Sequence, residues 1–124
     1  MDEKEIKVSI FYNKVKVLAS GIDQNFDNDY EATDYINREL RKEESEKNTL
    51  LCRICDLDGF VRLMEIPMPY KEFVIRRKQW WLGKLIQTVF NDLTVHQREF
   101  IMTGIPPEVW NKLFNKGKKD EVRS

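Results

Sequence analysis

The chain has 124 residues, 41% hydrophobic and 34% charged, with a formal net charge of zero. That is one domain by size, able to bury roughly two-thirds of its unfolded surface. No apolar run approaches the ~20 residues needed to cross a bilayer, and the charged start Met1-Asp2-Glu3-Lys4-Glu5 precedes no signal-peptide core, so a cytoplasmic protein without membrane contact is expected. Two cysteines without an export signal predict no stabilising disulfide. Charge is unevenly spread: residues 1–65 carry 10 Lys/Arg against 15 Asp/Glu, and residues 66–124 carry 11 against 6. Such polarity can orient a charged partner, or the halves can neutralise each other on folding.

In chain order, Ile6, Val8 and Ile10 alternate with polar residues, Asn13-Lys14 interrupts, and Val15 and Val17 resume, which predicts a hairpin ending at Ser20-Gly21. An acidic stretch from Asp23 to Asp34 then reads as a loop leading into a helix, with Ala32, Tyr35, Ile36 and Leu40 on one face and Asp27 or Asp29 as its N-cap. That helix fades into residues 41–47, where nothing apolar remains to bury. Thr49 to Ile66 predicts a second hairpin around Asp58-Gly59, stopped by Pro67 and Pro69.

The run Arg76–Phe90 carries the firmest periodicity. Leu82, Leu85, Ile86, Val89, Phe90 and Leu93 follow three-and-four spacing and predict one amphipathic helix with a continuous buried stripe. Trp81 is expected to pack with Leu85 in the core and Trp80 to project from the wet face. Thr94-Val95-His96-Gln97 has capping-box form and opens a short helix closing at Gly104; Pro106-Pro107 opens a last one, with Val109, Trp110, Leu113 and Phe114 as its stripe. The expected architecture is α+β: a small antiparallel sheet of two hairpins, one intervening helix, and a C-terminal three-helix unit packed on one face. Residues 1–115 form the single domain and 116–124 a flexible tail.

Residues Leu93 to Phe114, with Arg98-Glu99-Phe100, Thr103-Gly104-Ile105, Pro107-Glu108-Val109-Trp110 and Leu113-Phe114, resemble a C-terminal motif of small uncharacterised phage and prophage proteins. The likeness extends back through the preceding helix to about residue 79. It implies provenance on a mobile element, where small proteins often bind and block a host machine; it carries no catalytic residues.

Candidate sites are few. Cys52-Arg53-Ile54-Cys55 has CxxC spacing, but a zinc site needs four ligands and His96 is the only further soft one. Two strand cysteines with a packing role is the reading taken. Asp23, Asn25, Asp27, Asp29, Glu31 and Asp34 occupy alternate positions of a calcium-loop pattern, yet Asn28 replaces its glycine and Asp34 its long bidentate Glu, so an acidic helix-capping loop is favoured over a cation site. Asp27, Asp29, Glu31, Glu39 and Glu43 belong to an acidic segment, 23–46, able to meet a basic partner surface. Arg76, Arg77 and Lys78 beside Trp80 combine cations with an aromatic ring, as phosphate binding and base stacking require. No phosphate loop, nucleophile elbow or paired catalytic motif is present, so no cofactor and no enzymatic activity are expected. The function read from sequence is a non-enzymatic binding protein, encoded by a phage or mobile element, that inhibits a host protein or complex of the anti-CRISPR-like defence type. The alternatives are a nucleic-acid-binding module using Arg76–Trp81, and sequestration of a small nucleotide messenger.

Overall fold

A computed structural model describes residues 5–113. Strands β1 (Lys7–Phe11), β2 (Lys14–Ala19) and β3 (Ile22–Phe26) form an antiparallel sheet in the order β1-β2-β3. The first hairpin forms, but its two-residue loop is Tyr12-Asn13, one place earlier than the expected Asn13-Lys14, with Lys14 already in β2; both loop residues are at positive φ (51° and 63°), matching the twist of the flanking strands. The acidic segment does not start as a loop. Gly21 turns the chain (φ 73°) and residues 22–26 return as β3, with Asp23 facing Leu18 and Asn25 facing Lys16 in the register. Lys14 and Lys16 on β2 pair with Asp27 and Asp23, while the backbone ladder to β2 and the packing of Phe26 on the core make a strand of what reads as a solvated acidic run.

Helix α1 (Asp29–Tyr35) follows, and Asn28 is its N-cap, its side chain accepting from the Glu31 amide at 2.8 Å. The helix continues as a π-helical turn, Ile36–Leu40, and a 3₁₀ turn, Glu44–Glu46. Strands β4 (Thr49–Ile54) and β5 (Val61–Ile66) form the second hairpin, paired from Thr49↔Ile66 to Ile54↔Val61. The two hairpins therefore belong to two separate sheets. Strand β4 is buried on both faces: Cys52 packs with Val15, Val17, Ala32 and Ile36, and Leu51 packs with Phe73, Phe90, Phe100 and Ile101. One core lies between β4 and the first sheet with α1; the other lies between β4 and the C-terminal helices.

Helix α2 runs Tyr70–Trp81 and stops where the sequence periodicity continues. The cause is Gly83, at φ 114°. The Lys84 amide donates to the Gln79 carbonyl at 3.2 Å and the Gly83 amide to Trp80 at 3.0 Å, the paired bonds of a Schellman terminus. A four-residue helix, α3 (Ile86–Val89), follows. The expected stripe is thus divided: Ile86, Val89, Phe90 and Leu93 are buried, whereas Leu82 and Leu85 are exposed. Helix α4 (Val95–Thr103) carries both bonds of the Thr94/Gln97 capping box and ends at Gly104 (φ 74°). A Cβ on Gly104 would lie 2.4 Å from the Ile54 carbonyl oxygen, so the end of α4 sits directly against the end of β4. Residues 107–113 are helical again; Phe114 and the expected tail from residue 116 lie outside the described residues.

Candidate functional site

Helix α1 and the π-helical turn that continues it lie along the free edge of β4 and hold it through side chains four residues apart, Asp29, Thr33 and Asn37. Asp29 Oδ2 accepts from the Ile54 amide at 2.7 Å. The Thr33 hydroxyl donates to the Cys52 carbonyl at 3.1 Å and accepts from its amide at 2.9 Å, and the Asn37 amide does the same with Leu50. Four helical residues advance ~6 Å and two strand residues ~6.6–6.8 Å, so the two repeats stay in step over three rungs. Arg53 fixes the far end: Nη1 donates to Asp29 (2.9 Å), Nε to the Ile101 carbonyl (3.1 Å) and Nη2 to the Met102 carbonyl (2.7 Å). It thereby ties α1 to the C-terminus of α4, where carbonyls lack helical partners.

Above this frame, Phe73, Arg77 and Trp81 fall on one row of α2 at spacing four. Arg77 is 5% exposed. Its guanidinium lies 4.5 Å from the ring centre of Tyr30, 4.8 Å from Trp81 and 5.0 Å from Phe73. Tyr30 and Trp81 meet edge to face with centroids 5.2 Å apart, and each is about half exposed. Arg77 makes no ion pair among the described residues, and its Nε is buried without a hydrogen-bond acceptor. A cavity of about 100 Å³ adjoins it, lined also by Asp29, Arg53, Trp80 and Cys52. Burial pushes the Cys52 thiol up to about 12, with the Asp29 carboxylate adding to the effect, so this sulfur stays protonated and unreactive.

The two tryptophans exchange the roles expected of them. Trp80 is partly buried against the core that holds Phe73 and Phe90, and Trp81 stands at the surface beside Tyr30. The Gly83 break re-phases the helix, which is why a stripe counted through it misassigns both rings. Arg76, Arg77 and Lys78 do not form one cationic patch. Arg76 donates to Glu72 at 2.5 Å and Asp92 at 2.7 Å, Arg77 is enclosed, and Lys78 alone is exposed. The calcium-loop oxygens do not converge either: Asp23 and Asp27 pair with lysines of β2, Asp29 turns inward to Arg53, and Asp34 accepts from Arg38 and the Tyr70 hydroxyl. Asn25 is an exposed strand residue. Of the acidic set, Glu31 and Glu39 are exposed on the helical segment and Glu43 is exposed in the turn after it. Cys52 and Cys55 are both buried free thiols.

A second concavity, about 480 Å³, opens between the π-helical turn and the start of α2, rimmed by Arg38, Lys42 and Lys71 with Tyr70 at its side. Burial and the bond to Asp34 push the Tyr70 phenol above its usual range. Comparison with protein-family models, curated proteins and solved structures finds no significant match.

Proposed function

We propose that the protein is a non-enzymatic binding protein that acts by occupying a partner. Following the implied mobile-element provenance, that partner is a host protein or complex of the anti-CRISPR-like defence class. The observation carrying this reading is the exposed Tyr30–Trp81 pair seated on the buried Arg77 guanidinium. Exposed aromatic rings held by neighbours lose little freedom on binding, and Trp and Tyr are the residues in which interface energy concentrates. Binding rather than catalysis is supported by the groups nearby: the thiol is held protonated, and the Asp29 carboxylate is committed to Arg53 and a main-chain amide. The test is affinity capture from a bacterial host lysate with the native chain and with Trp81→Ala. One specific protein should be retained by the former and at least tenfold less by the latter. Retention of no specific protein, or equal retention by both, overturns the reading.

The groove between the π-helical turn and α2 favours a second reading, sequestration of a small nucleotide. Its volume falls in the ~300–1,000 Å³ range of small-molecule sites, and its rim carries Arg38, Lys42 and Lys71 against one acid, Glu46, with Arg38 already paired to Asp34. A nucleotide panel should then raise the melting temperature of the native chain but not of Lys71→Glu; no rise with any nucleotide removes this reading.

A further inference from the structure

We infer that the groove between the π-helical turn and α2 is a phosphoryl site, in which a pre-set Arg38 meets the terminal oxygens of a phosphate monoester or of free phosphate. The inference deepens the small-ligand reading of that groove and rests on it. Asp34 does the setting: its Oδ1 accepts from Arg38 Nε at 2.7 Å and from the Tyr70 hydroxyl at 2.8 Å. The Arg38 guanidinium also lies 5.5 Å from the centre of the Tyr70 ring. Tyr70 is itself buried in the core that holds Phe73. A long surface side chain ordinarily loses rotamer freedom when it closes on a ligand. Arg38 is held by Asp34 and Tyr70 before a ligand arrives, so less of that cost remains.

The bond to Asp34 uses one edge of the guanidinium. Nη1 and Nη2 have no acceptor among the described residues, and the side chain is 57% exposed, so these donors are open to solvent. Arg38 lines the groove together with Lys42 and Lys71, neither of which makes an ion pair among the described residues. Glu46 is the one acid in that lining. A phosphate monoester carries about two negative charges near neutral pH and three terminal oxygens. Each of the three cations can therefore meet its own oxygen. A carboxylate or a phosphodiester has fewer terminal oxygens and a single charge, and satisfies the set less well. At about 480 Å³ the groove also exceeds what a lone anion fills, and Pro69 and Tyr70 in its lining leave an organic group something to rest on.

The experiment is isothermal titration calorimetry of the native chain at constant ionic strength and about pH 7.5, where a monoester is doubly charged. The titrants are adenosine 5′-monophosphate, cyclic AMP, adenosine and inorganic phosphate. Saturable binding of the monophosphate is expected, at least tenfold tighter than that of cyclic AMP, with none for adenosine. Tighter binding of the monophosphate than of inorganic phosphate assigns the site to an ester; inorganic phosphate bound as tightly or more so assigns it to the free anion. Arg38→Lys keeps the charge but loses the planar fork, and should weaken binding at least tenfold. Asp34→Ala separates pre-setting from charge. Removing an acid beside the groove should tighten anion binding if charge alone acts, whereas loss of the Arg38 anchor should weaken it several-fold. No saturable binding of either phosphate, adenosine or cyclic AMP bound as tightly as the monophosphate, undiminished binding in Arg38→Lys, or equal or tighter binding in Asp34→Ala overturns the inference. A nucleotide that raises the melting temperature but binds Arg38→Lys undiminished would sink the phosphoryl site alone. Inorganic phosphate that binds through Arg38, with no nucleotide bound, would sink the nucleotide reading alone.

Discussion

Asn37 and Leu50 make the pair of hydrogen bonds that two neighbouring strands would make. The Asn37 Nδ2 donates to the Leu50 carbonyl and its Oδ1 accepts from the Leu50 amide, both at 3.0 Å, although Asn37 sits on a helical segment. With Thr33 on Cys52 and Asp29 on Ile54, this closes one edge of β4 by side chains. Open edges invite pairing with other chains, and a helix laid along one is a known way to block that. Asn37→Leu should leave both Leu50 groups unpaired and destabilise the protein by about 2–4 kcal/mol. Urea unfolding reads the loss, and faster hydrogen exchange at the Leu50 amide locates it.

Gly104→Ala combines a positive φ with a Cβ 2.4 Å from the Ile54 carbonyl oxygen. Neither strain can be relieved without moving β4 or α4, so a loss above about 2 kcal/mol is expected. Gly21→Ala serves as the comparison, because Gly21 has a similar φ and open space where the Cβ would go. The difference between the two melting temperatures isolates the steric part.

Acid should weaken the fold in a defined way. The Arg62 guanidinium holds the Asp58 carboxyl well below its usual range, and Arg76 lowers that of Asp92. Both carboxyls bind protons more weakly when folded, so their contribution is complete above about pH 4 and is lost as pH falls through the depressed values. Melting temperature should decline from about pH 4 downward, and less steeply in Arg62→Gln and Arg76→Gln.

On the alkaline side Cys52 acts first, joined at higher pH by the Tyr70 phenol, which burial also pushes up. The Cys52 thiol ionises near ~8.5 when unfolded but only near about 12 when folded. Between those values the unfolded state alone loses the thiol proton, so this group lowers stability with rising pH at up to about 1.4 kcal/mol per pH unit. Cys52→Ala should flatten that slope whatever it does to the absolute stability. In native buffer neither thiol should react with a disulfide reagent, and both should react in denaturant.

Much of this fold is written locally in the sequence. The Asn13 turn, the Asp58-Gly59 hairpin and the Thr94/Gln97 capping box depend on a few adjacent residues, and all three form. What periodicity hides is the terminus at Gly83: leucines on both sides continue the spacing, while one glycine at positive φ ends the helix. The misplaced tryptophans follow from that one residue. Strand β3 was illegible for another reason: its apolar residues Ile22 and Phe26 stand at its two ends with polar residues between, and what holds it is the ladder to β2 and the packing of Phe26 on the core. The Arg77 environment joins Tyr30 to residues nearly fifty positions away, a juxtaposition that spacing within either segment does not reveal.

The side-chain rungs between α1 and β4 have a kinetic meaning as well. They join residues 13 to 25 positions apart, whereas Arg53 reaches carbonyls 48 and 49 positions away. Closing a short loop costs less entropy than closing a long one, so the α1–β4 rungs are affordable before the C-terminal helices dock. Asn37→Ala should then chiefly slow refolding and Arg53→Met chiefly speed unfolding, separable on the two arms of a chevron plot. The helix that guards the strand edge in the finished molecule would also be the template on which that strand first comes to order.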